Sequence, residues 1–193
     1  GATTGDSGRL VPRLRKVYPR AMRLVDDAAR TGEDGGVVST SLGRSSPRPD
    51  DAWQSAQSDA SGADADPVEV KRARQSARER GRFTRNFVVQ GTAAEWALCW
   101  MAGLRSKLVA IAGDAAEPSA IASRSGAAFE RVPHLVYYLH DEIIVHTPTE
   151  YADAVAAAVV ESATAAGRLL FADFPVEFPL DLAIVESYAS ADA

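Results

Sequence analysis

The chain has little cysteine, no long apolar run and no glycine-rich phosphate loop, and each shortage removes a class of explanation. Cys99 is the only cysteine among 193 residues. That excludes an internal disulfide framework and any zinc site built from cysteines, and it leads us to expect a reducing, cytoplasmic setting. No run approaches the roughly 20 uninterrupted apolar residues of a membrane-spanning helix, and the first residues lack the charged and apolar regions of a signal peptide. Neither common glycine-rich phosphate loop occurs, so nucleotide binding by that route has no support. Methionine is absent before Met22, so the sequence opening at Gly1 is expected to be a piece of a longer polypeptide. Lysine occurs only at Lys16, Lys71 and Lys107 against 18 arginines, which reads as the bias of a GC-rich genome as much as a physical choice.

What is present describes a globular chain. It is 46% hydrophobic and 24% charged with a net charge of -5, inside the range of soluble domains and outside those of collagen or disordered tails. The length suffices for one ordinary domain or two small ones, with a core that needs no staples.

Residues 10–30 carry apolar positions at irregular helical spacing, interrupted by Pro12 and Pro19, and predict broken helix. Gly35, Gly36 and Gly43 bracket a β-branched and serine run that predicts a small hairpin. Residues 45–67 collect Pro, Ser, Asp, Gln and Ala with little beyond Trp53 to bury, which predicts a flexible surface insertion. From 68 to 86 the character changes to a basic block of good helix formers, with Lys71, Arg72, Arg74, Arg78, Arg80, Arg82 and Arg85. Residues 90–112 place Ala93, Trp96, Ala97, Trp100, Leu104, Leu108 and Ile111 on one apolar stripe of a helix. A loop is expected over 113–130, two strands and a turn over 132–147, a long helix with Thr149 as its N-cap, and a last strand over 179–185. The order gives an α+β fold, an antiparallel sheet with helices to one side.

Two segments carry the chemistry. The first is Leu135-Val136-Tyr137-Tyr138-Leu139-His140-Asp141-Glu142-Ile143-Ile144-Val145, where Asp141 and Glu142 interrupt a run that should be buried on both faces. An ionised carboxylate is costly to desolvate, so the apex must reach solvent, a cation or a basic partner. A solvated turn satisfies this, since Asp suits turns for local reasons; so does a hard-metal site, since Mg²⁺ is held by one or two carboxylates plus substrate phosphates. Both readings stay open at this point. His134, His140 and His146 are spaced six apart, but a two-residue turn at His140-Asp141 sends His134 and His146 to opposite faces, which argues against zinc.

The second segment is Arg82-Phe83-Thr84-Arg85-Asn86-Phe87-Val88-Val89-Gln90-Gly91-Thr92-Ala93-Ala94-Glu95. Its cations precede what reads as a glycine-started helix, and both cations and helix-start amides favour anions. Asn86 and Gln90 have the donors and acceptors to meet sugar or base edges while arginines hold a backbone. A solvated basic helix face explains the same residues.

Taken together, Arg-x-x-x-Asn-x-x-x-Gln-Gly-Thr-Ala-Ala, followed about fifty residues later by His-Asp-Glu in an apolar hairpin, resembles the family A (polymerase I-like) DNA polymerases. The wording Gly-Arg-Phe-Thr-Arg-Asn-Phe is similar to that of actinobacterial members that are bifunctional 3'-5' exonuclease and DNA polymerase. Gly36-Val37-Val38 through Leu42-Gly43-Arg44 and residues 179–187 are similar to the family's glycine-to-Gly-Arg hairpin and last palm strand. The resemblance implies a palm-type sheet of hairpin plus last strand over 68–193, a helical fingers-side segment with a small hairpin over 1–44, and the insertion over 45–67. It implies two-metal nucleotidyl transfer to a primer 3'-hydroxyl, with Asp141 a direct Mg²⁺ ligand and Glu142 an accessory catalytic carboxylate. Arg82, Asn86, Gln90, Arg85, Arg44 and His140 become DNA contacts, with primer-template DNA and deoxynucleoside triphosphates as partners; no nucleotide-binding residue is assigned. The chain departs from the family at Tyr138, where many members have Gln. Motif A with its metal-binding aspartate, motif B with its nucleotide-binding helix, and the exonuclease domain are missing, so this part alone is expected to be inactive without the N-terminal part of the same polypeptide. The alternative is a DNA-binding remnant of a polymerase palm without catalysis. Because the resemblance leaves the hairpin without its motif A strand, an edge stays open, and size-exclusion chromatography at high concentration should show self-association rather than a sharp monomer peak.

Overall fold

The computed structural model describes residues 4–113 and 132–190. They fall into two compact units, Gly1–Ala93 and Ala94–Ala193.

In the first unit, α1 (Thr4–Val17) and α2 (Pro19–Glu33) form the broken helix. The break falls at Tyr18, because Pro19 stands at the first position of α2, where a missing N–H costs nothing. Pro12, expected to interrupt as well, lies inside α1. Most of α1 from Leu10 onward is exposed. Arg15 ties α1 to Asp26 of α2. α2 ends in a left-handed cap: Gly35 takes φ +78°, its N–H donates to Gly32 O, and Gly36 N–H donates to Thr31 O.

The small hairpin then forms around the Ser39–Ser45 bridge, with Thr40 N–H donating to Arg44 O and Ser46 N–H to Val38 O. The stretch expected to be a structureless insertion instead contains α3 (Asp51–Ala60). Asp50 caps it by accepting from Trp53 N–H at 2.8 Å, and Gln57 donates to the Ala73 carbonyl. A cap and one tertiary hydrogen bond outweigh a composition poor in apolar residues.

The two predicted helices over 68–86 and 90–112 are one, α4 (Pro67–Ala112), which contributes to both units. No proline interrupts it, and an interior glycine costs only about 1 kcal/mol, which does not break a helix. Its buried positions in the first unit include Ala73, Gly81, Thr84 and Val88. Thr84, with no exposed surface, donates to the Ala28 carbonyl of α2 at 2.7 Å. That approach requires glycines: a Cβ on Gly32 would lie 2.0 Å from Thr84 Oγ1, and one on Gly81 would lie 2.9 Å from Ala29 O.

The second unit is built on the later part of α4 and on α5 (Ala152–Phe171). Trp100, Leu104 and Leu108 pack against Val155, Ala158, Val159, Ala163 and Ala166. The Trp100 indole N–H donates to Val159 O at 3.0 Å, and Lys107 pairs with Glu161 at 2.7 Å. By length and composition the segment Thr149–Phe171, which contains α5, is apolar enough to cross a membrane, but α5 supplies five of the eight buried residues of this core. Thr149 opens a short 3-10 turn (Thr149–Tyr151) rather than capping α5.

The sheet is β1 (His134–Leu139) against β2 (Glu142–His146), antiparallel. The mostly helical α+β class holds, with a two-stranded sheet. Residues 179–185 do not join it; among the described residues no third strand exists. Leu180 packs on the core, while Leu182, Ile184 and Val185 are exposed. The hairpin is likewise not buried on both faces: Leu135, Ile143 and Val145 rest on the core, whereas Val136, Tyr137, Tyr138 and Leu139 are exposed. Among the described residues nothing pairs with the outer edges of the two-stranded ribbon. The loop predicted over 113–130 lies, beyond Gly113, outside the described residues.

Because the α2–α4 approach leaves no room for a methyl group, Gly32→Ala should destabilise the chain by about 2 kcal/mol, read from denaturant unfolding followed by far-UV circular dichroism.

Candidate nucleic-acid and metal sites

Each candidate site is built on one unit. In the first, Arg82, Asn86 and Gln90 recur every fourth residue along α4 and are all exposed. At 1.5 Å per residue they span about 12 Å, three to four phosphate steps along one strand of a duplex. Arg85 is exposed beside them, and Arg72, Arg74 and Arg78 continue the cationic surface toward the helix start. Among the described residues Glu79 counters Arg82, at 3.8 Å with the two side chains 57% and 63% exposed; a pair so open to water is weak and yields readily to another anion.

Two arginines also bind within the fold. Arg80 turns inward, donating to Gly36 O at 3.2 Å and Pro47 O at 2.9 Å, with its guanidinium over Trp53. Arg44, expected on DNA, lies over the Phe87 ring and donates to Gly91 O at 3.2 Å, fastening the small hairpin to α4 together with the Ser41 N–H to Thr92 Oγ1 bond. The expected helix start at Gly91 is corrected: Gly91 is buried well inside α4, where its amide belongs to the helix ladder. Anion attraction here rests on side-chain charge alone.

In the second unit, the turn between β1 and β2 is His140-Asp141, with Leu139 opposite Glu142. His140, Asp141 and Glu142 are all exposed, so the carboxylates keep their hydration. His140 takes φ +55°, the left-handed region that favours glycine. Asp141 and Glu142 are hard oxygen donors that suit Mg²⁺. They are two donors from one turn, and among the described residues no group of three or more His, Cys, Asp or Glu converges. They fit part of a Mg²⁺ shell, completed by water, substrate phosphates or another chain segment.

The histidine geometry corrects the sequence reading. A straight two-residue hairpin sends His134 and His146 to opposite faces, but the register shifts between Leu135 and Tyr137. This bulge at Val136 brings His134 directly across from His146, ring centres 5.3 Å apart and 74° between planes. One extra residue in a strand reverses the facing of everything beyond it. His140 stays apart at the turn. Cys99, half-buried, packs against the core, as expected.

No family model, curated protein or solved structure matches the chain.

The strained turn yields a test that folding alone can answer. His140→Gly should raise stability by about 1 kcal/mol, the lower end of what a non-glycine residue in that region costs, measured by chemical denaturation.

Proposed function

We propose that this chain is the C-terminal palm and adjoining fingers segment of a family A DNA polymerase, acting in template-directed extension of a primer. The observation that carries the reading is the presentation of Asp141-Glu142. Two adjacent carboxylates stand hydrated at the tip of an apolar ribbon, on a turn whose first residue, His140, holds an unfavourable backbone conformation. Local economy favours glycine there, and a polar residue kept at a strained position is a reason to look for a role beyond turning the chain. The exposed row Arg82, Asn86, Gln90, with Arg85 beside it, supports the same reading.

In that role Asp141 binds Mg²⁺ directly and Glu142 holds its charge next to it. Mg²⁺ supplies electrostatic stabilisation of the attacking and leaving oxygens in nucleotidyl transfer. The arginines of α4 hold the phosphates of primer-template DNA without reading sequence, and the amides of Asn86 and Gln90 offer hydrogen bonds in the groove. Tyr138, where many members have Gln, is exposed on β1 and removes one such amide. Deoxynucleoside triphosphate binding and one further carboxylate belong to motifs A and B, which these residues do not include, so extension is a property of the longer polypeptide.

Primer extension by a polypeptide carrying those motifs should be abolished by Asp141→Ala, and retention of normal extension by that variant overturns the reading. For the 193-residue chain, Arg82→Ala should weaken duplex binding for all sequences alike and lower the salt slope by about 1, read by fluorescence anisotropy against salt concentration. Salt-dependent binding with no Mg²⁺-dependent extension from the longer polypeptide would identify a DNA-binding remnant instead.

A further inference from the structure

We infer that His134 and His146 form the protein half of a site for a divalent transition-metal ion of the zinc type, placed across the open end of the β1–β2 hairpin and separate from the Asp141-Glu142 turn. Three observations converge on it.

The first is position. The two residues are cross-strand partners in the register, one ending β2 and the other beginning β1. Both belong to a single hairpin, whose Leu135, Ile143 and Val145 are seated on the core.

The second is spacing. A metal-to-imidazole-nitrogen bond of 2.0–2.1 Å places the ion about 3.2 Å from each ring centre, and a tetrahedral angle between two such ligands then separates the ring centres by about 5 Å. The observed separation is 5.3 Å. The ring-centre separation therefore matches that of two imidazoles sharing one ion, whereas the straight hairpin register would have kept them on opposite faces.

The third is the tautomer. His134 Nδ1 lies 2.9 Å from the Val132 carbonyl oxygen, which only accepts, so Nδ1 carries the proton and donates. The basic lone pair is then on Nε2. A ligating histidine that gives its other N–H to a backbone carbonyl is the usual outer-sphere arrangement, since that bond fixes the ring and raises its basicity.

Imidazole suits Zn²⁺, Cu²⁺ and Ni²⁺, whereas carboxylate and water suit Mg²⁺, so the two ends of the hairpin differ in the ions they select. Among the described residues no third His, Cys, Asp or Glu converges, so the two imidazoles are the part of the site that these residues supply. The bound ion acts as a clip. It ties the strands in the bulged register and opposes a one-residue slip, which would carry the two rings to opposite faces.

The experiment is isothermal titration of the untagged 193-residue chain with ZnCl₂ at pH 7.5. One Zn²⁺ should bind per chain. His146→Ala and His146→Gln, changes at an exposed position, should each weaken binding about tenfold or more, the loss seen when even an outer partner of a ligand is removed. His134→Ala should do the same, and circular dichroism should show the folded spectrum retained in the His146 variants. Asp141→Asn with Glu142→Gln should leave Zn²⁺ affinity unchanged, and excess Mg²⁺ should not displace the ion. Absence of Zn²⁺ binding, unchanged affinity in both His146 variants, or equal loss in the turn variants would each overturn the inference; none of them bears on primer extension.

Discussion

A two-stranded hairpin is marginal in water, and the β1–β2 ribbon persists because one of its faces rests on the pair formed by α4 and α5. That pair is held close by small residues: Ala158, Ser162, Ala163 and Ala166 let α5 approach, and Trp100 spans the contact with its N–H on Val159 O. Leu135, Ile143 and Val145 add the ribbon to this core. Both candidate metal positions depend on that seating. The exposed carboxylates at the tip and the imidazoles at the open end are polar groups on a ribbon anchored elsewhere by apolar contact.

The same division organises α4. Its inward positions near α2 are small, and Thr84 satisfies its hydroxyl on the Ala28 carbonyl. Its outward positions carry the arginines, along with the amides of Asn86 and Gln90. Charge on the chain is therefore not spread evenly: a molecule with net charge -5 presents a cationic face on one helix. Such a local field attracts polyanions whatever the overall charge, because screening confines each charge to a Debye length of about 10 Å. The two faces serve different physical needs, desolvated packing on one side and hydrated charge on the other, and a helix separates them at no extra cost in chain length.

What was legible in advance follows from how local each feature is. The break at Pro19, the small hairpin after Gly35-Gly36 and the apolar stripe from Trp96 to Leu108 depend on neighbours within a few residues. The turn at His140-Asp141 was equally readable, since two charged residues can interrupt an apolar ribbon only where water reaches them. The misreadings share the opposite character. Gly91 looked like a helix start, but a helix supported along its length absorbs one glycine. Residues 51–60 looked too polar to order, yet a side-chain cap and a bond to Ala73 hold them. Residues 179–185 have the composition of a strand, and composition alone does not supply a partner to pair with.

The amino-acid sequence by itself determined which residues carry charge, which side of the later part of α4 is apolar and that Asp141 and Glu142 stand at an apex, because hydropathy period and the cost of burying a carboxylate act over short distances. Tertiary structure alone decided which arginines bind within the fold, since Arg80 and Arg44 donate to backbone carbonyls of distant segments, Arg80 half-buried and Arg44 still exposed. It also decided that His134 meets His146. A strand has a period of two, so one bulged residue at Val136 reverses the facing of all that lies beyond it, and the choice to bulge is made by packing rather than by the local chain.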